Sequence, residues 1–288
     1  MYGTYKNKGT TDTTRNFSPA IWGNCPVNLI RDGVLRGYVD GDDFLPPGVI
    51  SEDAVDDLYQ KYIDTSNTIR LAANSTTAYG GILELVTDAT DNDAPVIQRH
   101  GANAGSTAIG PYIIGNSAGA AFRLWFEARI NKSSIADNVC AFACGLAQVG
   151  RAADNGLLED DTGDIVDSIS FIGWRNLNDN GEELDFVYQD GGQTAPVEVM
   201  ANAATLVADT YIKLGFVFDP FATASQQIKL FINNVEQSTY VTTTNIDATT
   251  FPENDALAFV FGTKNGTAGA STGRIDWWRC VQLFEQNY

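Results

Sequence analysis

Histidine is almost missing from this 288-residue chain: there is one, His100, beside four cysteines and two methionines. A catalytic triad or a zinc site that draws on several histidines has nothing to be built from. Cations are scarce too, because 18 Lys and Arg face 36 Asp and Glu, a net charge of −18 at pH 7. A surface of that sign repels a phosphate backbone, so no nucleic-acid partner is expected. Long apolar runs are lacking as well. Nothing approaches the ~20 residues of a membrane span, and the opening MYGTYKNKGTTDTTRNF is too polar for a secretion signal. A soluble chain that leaves the ribosome unprocessed by export is the expectation. The cysteines, Cys25, Cys140, Cys144 and Cys280, fall in no CxxC or Cys/His spacing. Cys140 and Cys144 lie in a strand-like run where four residues span ~13 Å, too far for a bridge, and buried free thiols are expected.

What the chain does have is 44% hydrophobic residues, 11% aromatic, and a length at which roughly 70% of the unfolded surface can be buried. Its charge is segregated. Residues 1–37 carry Lys6, Lys8, Arg15, Arg31 and Arg36 against Asp12 and Asp32, a net of +3, which leaves −21 for residues 38–288. This weakly basic arm has no sustained period of 2 or 3.6 and reads as irregular or extended chain. Its apolar residues, among them Phe17, Ile21, Trp22, Leu29 and Ile30, are too many for a solvated linker. Two readings stay open: the arm packs over its own domain, or it docks on a partner subunit.

Beyond the arm the dominant period is 2. Phe122, Leu124, Phe126, Ala128 and Ile130 alternate with Arg123, Trp125, Glu127 and Arg129, which predicts a half-buried strand with one polar face interrupted by a single tryptophan. Similar runs appear at 82–86, 139–147, 168–174, 184–188, 211–218, 227–232, 257–261 and 275–284, separated by turn signals such as Asp179-Asn180-Gly181 and Asn233-Asn234. Trp277 and Trp278 point to opposite faces, so at least one belongs to the core. One short helix is predicted after Pro46 and Pro47, with Ser51 as N-cap and Val55, Leu58, Tyr59 and Tyr62 at helical spacing. A strand with one apolar face must cover it with a second such face ~10 Å away. The expected architecture is therefore all-β: a two-sheet antiparallel jelly-roll sandwich over residues 38–288, preceded by the arm.

Particular stretches carry a family likeness. Tyr211-Ile-Lys-Leu-Gly-Phe-Val-Phe-Asp219 followed by Gln227-Ile-Lys-Leu-Phe-Ile-Asn-Asn-Val235 resembles paired strands of concanavalin A-like, laminin-G-like jelly rolls. Arg274-Ile-Asp-Trp-Trp-Arg-Cys-Val-Gln-Leu-Phe284 is similar to the closing strand of that fold, and Tyr38-Val-Asp-Gly-Asp-Asp-Phe44 to its opening one. Asn234 stands where the family has Gly, and Asn tolerates the left-handed backbone a tight hairpin needs. The opening Asn16-Phe-Ser-Pro-Ala-Ile-Trp-Gly-Asn-Cys-Pro26, joined to such a body, resembles virion proteins of tailed bacteriophages of the head decoration type.

The resemblance implies a structural protein on the outer surface of a phage head, made in the host cytoplasm and bound to the major capsid protein or other virion proteins. It also implies a homo-oligomer, such as a trimer at a local threefold axis. Lys6, Lys8, Arg15, Phe17, Trp22, Arg31 and Arg36 would then dock the arm on the shell, and deleting residues 1–37 would leave a folded body. The fold also hosts glycanases and lectins. A glycanase strand needs alternating carboxylates, and Glu183-Leu-Asp-Phe-Val-Tyr-Gln189 has Tyr188 or Gln189 where the proton donor belongs, so no hydrolysis is expected. Glu183 and Asp185 read instead as solvated residues at a strand start. A glycan- or receptor-binding module of a tail or fibre is the alternative, with Trp125, Trp174 and Tyr188 as the aromatic platform. The acidic runs at 88–93, 159–164 and 176–181 complete no twelve-residue calcium loop, so no metal and no cofactor is expected.

Overall fold

The computed structural model describes residues 16–44, 59–63, 67–71, 81–99, 110–117, 119–152, 156–266 and 269–285. The chain begins with two short helices, α1 (Pro19–Trp22) and α2 (Val27–Arg31), then β1 (Gly37–Asp42), β2 (Tyr59–Tyr62), β3 (Thr68–Leu71), β4 (Leu83–Val86) and β5 (Val96–Arg99). Next come β6 (Leu124–Lys132), β7 (Ala141–Gln148), β8 (Phe171–Asn176), β9 (Glu183–Gln189), β10 (Val197–Thr205), β11 (Ile212–Phe218) and β12 (Ile228–Ile232). The chain closes with β13 (Val235–Val241), α3 (Thr243–Ile246), β14 (Leu257–Lys264) and β15 (Thr272–Leu283).

Two antiparallel sheets result. One runs β13-β12-β11-β6-β15-β4-β3 with β1 added against β15, and the other runs β10-β9-β8-β7-β14-β5-β2. Opening and closing strands pair, Gly37 opposite Leu283 through Asp42 opposite Trp278, which closes the body on itself. The alternation of β6 is realised: Leu124, Phe126, Ala128 and Ile130 enter the core between the sheets. There Phe126 stacks on Phe216 at 5.1 Å and Phe259 on Trp278 at 4.1 Å. Each such ring removes enough apolar surface from water to contribute about 2 to 3 kcal/mol. Asn233 and Asn234 both have positive φ, 49° and 70°, the backbone that a two-residue hairpin between β12 and β13 requires.

Three readings are corrected. Tyr59–Tyr62, expected at the end of a helix, is the edge strand β2, paired antiparallel with β5; residues 51–58 of that prediction lie outside the described residues. The pull toward strand is visible in Tyr59, which is 2% exposed and whose hydroxyl accepts the Trp278 indole N–H at 2.7 Å. The described part of the arm is not irregular, since it holds α1 and α2, each ended by backbone hydrogen bonds to its own turn. Nor is it separable from the body: Ile21 and Ile30 are buried, in a cluster with Trp125, Phe231, Val281 and Leu283. Removing residues 16–37 would strip that cluster, so the described part of the arm belongs to the fold. Cys140, Cys144 and Cys280 are buried free thiols, and Cys25, in the arm, is a half-buried one.

Candidate functional site

Alternation gives each sheet an outer face as well as an inner one, and the chain uses its own segments on both. On the sheet containing β6, the outer residues Trp125, Glu127 and Arg279 meet the strap formed by residues 16–36. Glu127 is fully buried, and its Oε2 accepts the backbone N–H of Ser18 at 3.0 Å and the indole N–H of Trp22 at 2.6 Å. Burial pushes this carboxyl above its ordinary value, against the two donors and the Lys213 ammonium, which pull it down. Lys213 Nζ donates to Asn16 O at 3.0 Å, and the backbone N–H of Ala20 to Asn234 Oδ1 at 2.9 Å. Ile21 fills the notch opposite Gly215, where a Cβ would stand 2.5 Å from its Cδ1. Phe17 sits edge-on to Trp277 at 4.6 Å, under the guanidinium of Arg279 at 3.9 Å.

The other sheet is covered by the segment between β7 and β8. Ala152, Leu157, Leu158, Ile165 and Ile169 form a satellite core with Ala143, Ala147, Phe171, Val187 and Val260 of the outer face. Polar ties fasten it. Lys264 Nζ donates to Leu158 O at 3.0 Å and pairs with Asp160. Gln189 Nε2 donates to Val166 O at 2.9 Å, and Arg175 pairs with Asp164. Arg175 also faces Asp185 at 3.7 Å and Glu198 at 3.4 Å, and burial lowers its guanidinium below the usual arginine value.

Most of the aromatic platform expected from the sequence is thereby closed. Trp174 and Tyr188 point into the core between the sheets, edge-on to Phe186 and Phe251. They offer no ring face to a ligand. Trp125 is 4% exposed because the strap lies over it, which sequence alternation alone does not reveal. It still lines a groove of about 470 Å³ with Asn24, Arg123, Asp219, Lys229 and Glu236, floored by Val217 and Phe231. Asp185 is not solvated either: it is 7% exposed, faces Arg175, and accepts the backbone N–H of Asn202 at 3.0 Å. Glu183, beside it, is half-buried at the strand start.

Of the docking residues, Phe17 and Trp22 face their own body, Arg31 and Arg36 are exposed, and Lys6, Lys8 and Arg15 lie outside the described residues. The acidic runs spend their oxygens on turns; Asp88 accepts from Thr90 N at 2.6 Å, and Asn92 from Asp161 N at 2.8 Å. Among the described residues no three His, Cys, Asp or Glu side chains come together as metal ligands.

No protein-family profile matches the sequence, and no curated protein is similar to it at the sequence level. Solved structures do match. A protein of unknown function from Shewanella oneidensis MR-1 superposes with a TM-score of 0.53 at 12% identity, over 91% of this chain and 96% of that one. An endo-β-1,4-glucuronan lyase from the fungus Trichoderma reesei gives 0.52 at 12% identity, over 84% and 94%. The lectin UEA-II complexed with galactose gives 0.51 at 12% identity, over 86% and 99%. Identity this low speaks for architecture and not for activity. The chain has the concanavalin A-like, legume-lectin-type jelly-roll fold.

Proposed function

We propose that the protein is a non-enzymatic structural component of a tailed-phage virion, bound to the outside of the head, where it adheres to the major capsid protein and to copies of itself. One observation carries this reading: part of each outer face of the sandwich is covered by the protein's own chain, each over a small apolar core. Partly covered faces and a net charge of −18 suit a body that presents loops and edges to solvent. The virion placement itself comes from the likeness of residues 16–26 to decoration proteins, and those residues belong to the strap. A ligand that binds only the assembled lattice shifts the equilibrium toward assembly, which is how such a protein would reinforce a shell. Arg31 and Arg36 are the strap's exposed cations, placed to meet an acidic neighbour. The test is binding of purified protein to heads that lack it. Stoichiometric binding that falls when Arg31 and Arg36 are reversed to Glu supports the docking; unchanged occupancy in that variant contradicts it.

A second reading, carbohydrate binding, is favoured by the groove that Trp125 lines with Arg123, Asp219, Lys229 and Glu236. Its rim pairs, Arg123 with Asp219 at 3.0 Å and Lys229 with Glu236 at 3.1 Å, present donors and acceptors beside an aromatic floor. A glycan screen comparing the native chain with Arg123→Gln tests it. Saturable binding lost in the variant supports it, and no binding to any glycan removes it.

A further inference from the structure

One lysine stands where alternation calls for an apolar side chain. Along β6 the inward residues are Leu124, Phe126, Ala128 and Ile130, and the next in phase is Lys132. Along β8, in the other sheet, Ile172 and Trp174 face inward, and the next in phase is Asn176. The two meet at one end of the sandwich, 3% and 0% exposed. Lys132 Nζ donates to Asn176 Oδ1 at 2.5 Å, to Gly181 O at 2.8 Å and to Cys140 O. No carboxylate of the described residues stands within salt-bridge distance of it, whereas Lys229 and Lys264 are paired with Glu236 and Asp160. Asp137, whose Oδ1 accepts the Gly181 N–H at 3.2 Å, and Glu182 act on Lys132 only through space. Burial outweighs them and the Cys140 thiol, and lowers the ammonium below its ordinary value. The Asn176 amide is held in one orientation, because its Nδ2 donates to Leu177 O at 3.1 Å, Asn180 O at 2.8 Å and Glu183 O at 3.2 Å. With a C=O bond of about 1.2 Å, the contact at Oδ1 sets Nζ about 3 to 3.5 Å from Cγ, the separation of a near-attack pair.

We propose that Lys132 and Asn176 close an isopeptide bond that staples the two sheets across the core. Lys132 sheds a proton, and its amine, nucleophilic once neutral, attacks Cγ of Asn176. The Nζ–Cγ bond forms and the Cγ–Nδ2 bond breaks. Nδ2 departs with the two protons that Nζ gives up, as ammonium, so nothing is oxidised or reduced. Three features of the site favour the step: it is sealed from water, no carboxylate in contact holds the charge on Nζ, and Gly181 O and Cys140 O pin the amine beside the amide. The product also removes a buried charge, which is costly in a sealed interior. The competing state is a lysine that stays a cation on its three oxygens. The bond is independent of where the protein resides.

The experiment is mass spectrometry of the purified full chain, incubated folded at mildly alkaline pH and denatured before measurement. The expected mass is below that of the sequence by one ammonia, about 17 Da. A digest should yield one fragment in which the peptide carrying Lys132 is joined to the peptide carrying Asn176. Lys132→Met and Asn176→Ala should each show no deficit and no joined fragment. A native chain at full mass, with the two peptides recovered separately, would overturn the assignment. So would an ammonia deficit that maps to a succinimide at an Asn-Gly step such as Asn180-Gly181 instead of to the pair. Both results are read from the native chain, so the test holds even where a variant fails to fold.

Discussion

The carboxylate of Glu127 holds the indole N–H of Trp22 at 2.6 Å across 105 positions of sequence. That bond joins the start of the described chain to the middle of the larger sheet, and the carboxylate end of it is sealed from water.

It also sets a pH dependence. Burial raises the Glu127 carboxyl above 4.5, its ordinary value, so the folded state binds a proton that the unfolded state has released. Native stability from this group therefore falls as pH rises through that window and grows as pH drops toward 4.5. Glu127→Gln removes the titration and keeps an oxygen for Ser18 and Trp22. The stability gap between the native chain and this variant should move in favour of the native chain on acidification, by at most about 1.4 kcal/mol per pH unit. Chemical denaturation of both proteins across the acidic range measures it; parallel curves would show that Glu127 does not titrate there.

Ile21 depends on Gly215 for its seat. Ile21→Ala should cost about 2 to 5 kcal/mol, as for a buried aliphatic side chain whose cavity collapses poorly. Gly215→Ala should cost about 1 to 3 kcal/mol by overpacking, because the new methyl meets both Ile21 and the Phe126 carbonyl. Thermal melts of the two single variants check the magnitudes. In the double variant the losses should fall short of the sum, since a smaller residue 21 makes room for the methyl.

These contacts mark where sequence reading stops. The inward face of β6 is legible because Leu124, Phe126, Ala128 and Ile130 alternate, and the opening and closing strands are picked out by resemblance, though their pairing is seen only in the structure. The cover over Trp125 is not legible, because alternation separates two faces without saying which is wet. The satellite core over the second sheet hides in the same way, with Leu157, Leu158, Ile165 and Ile169 spaced among acids that read as a solvated loop. Strands β10 and β13 escape the pattern as well. They are edge strands with residues such as Asn202 and Ser238, where partial exposure relaxes the alternation. Tyr59–Tyr62 misleads because four residues fit either period.

Arg175 is the charge on which the cover of the second sheet turns. Arg175→Met leaves Asp185 buried without its cation and should cost about 3 to 5 kcal/mol. Arg175→Met combined with Asp185→Asn should regain part of that loss, because the buried charge is gone while Asn202 keeps an acceptor. Urea denaturation of the native chain, Arg175→Met, Asp185→Asn and the double variant gives the coupling. A double variant as unstable as the sum of the singles would show that the pair is not coupled.

The thiols report on the strap. Burial pushes Cys25 up to about 12 and carries Cys144 and Cys280 upward as well, so little thiolate exists at neutral pH. Alkylation followed by mass spectrometry should find these cysteines unmodified in the native protein and modified in denaturant. In Ile21→Ala, Cys25 should react first, since it packs in the same cluster.

The claim that a self-covered jelly roll serves adhesion to a phage head is tested most directly by electron cryomicroscopy of whole particles. Sandwich-shaped density on the outside of the head, fitted by residues 38–285 with the strap toward the shell, is the predicted result. Particles in which the protein is absent, or is found only on the tail, would contradict it.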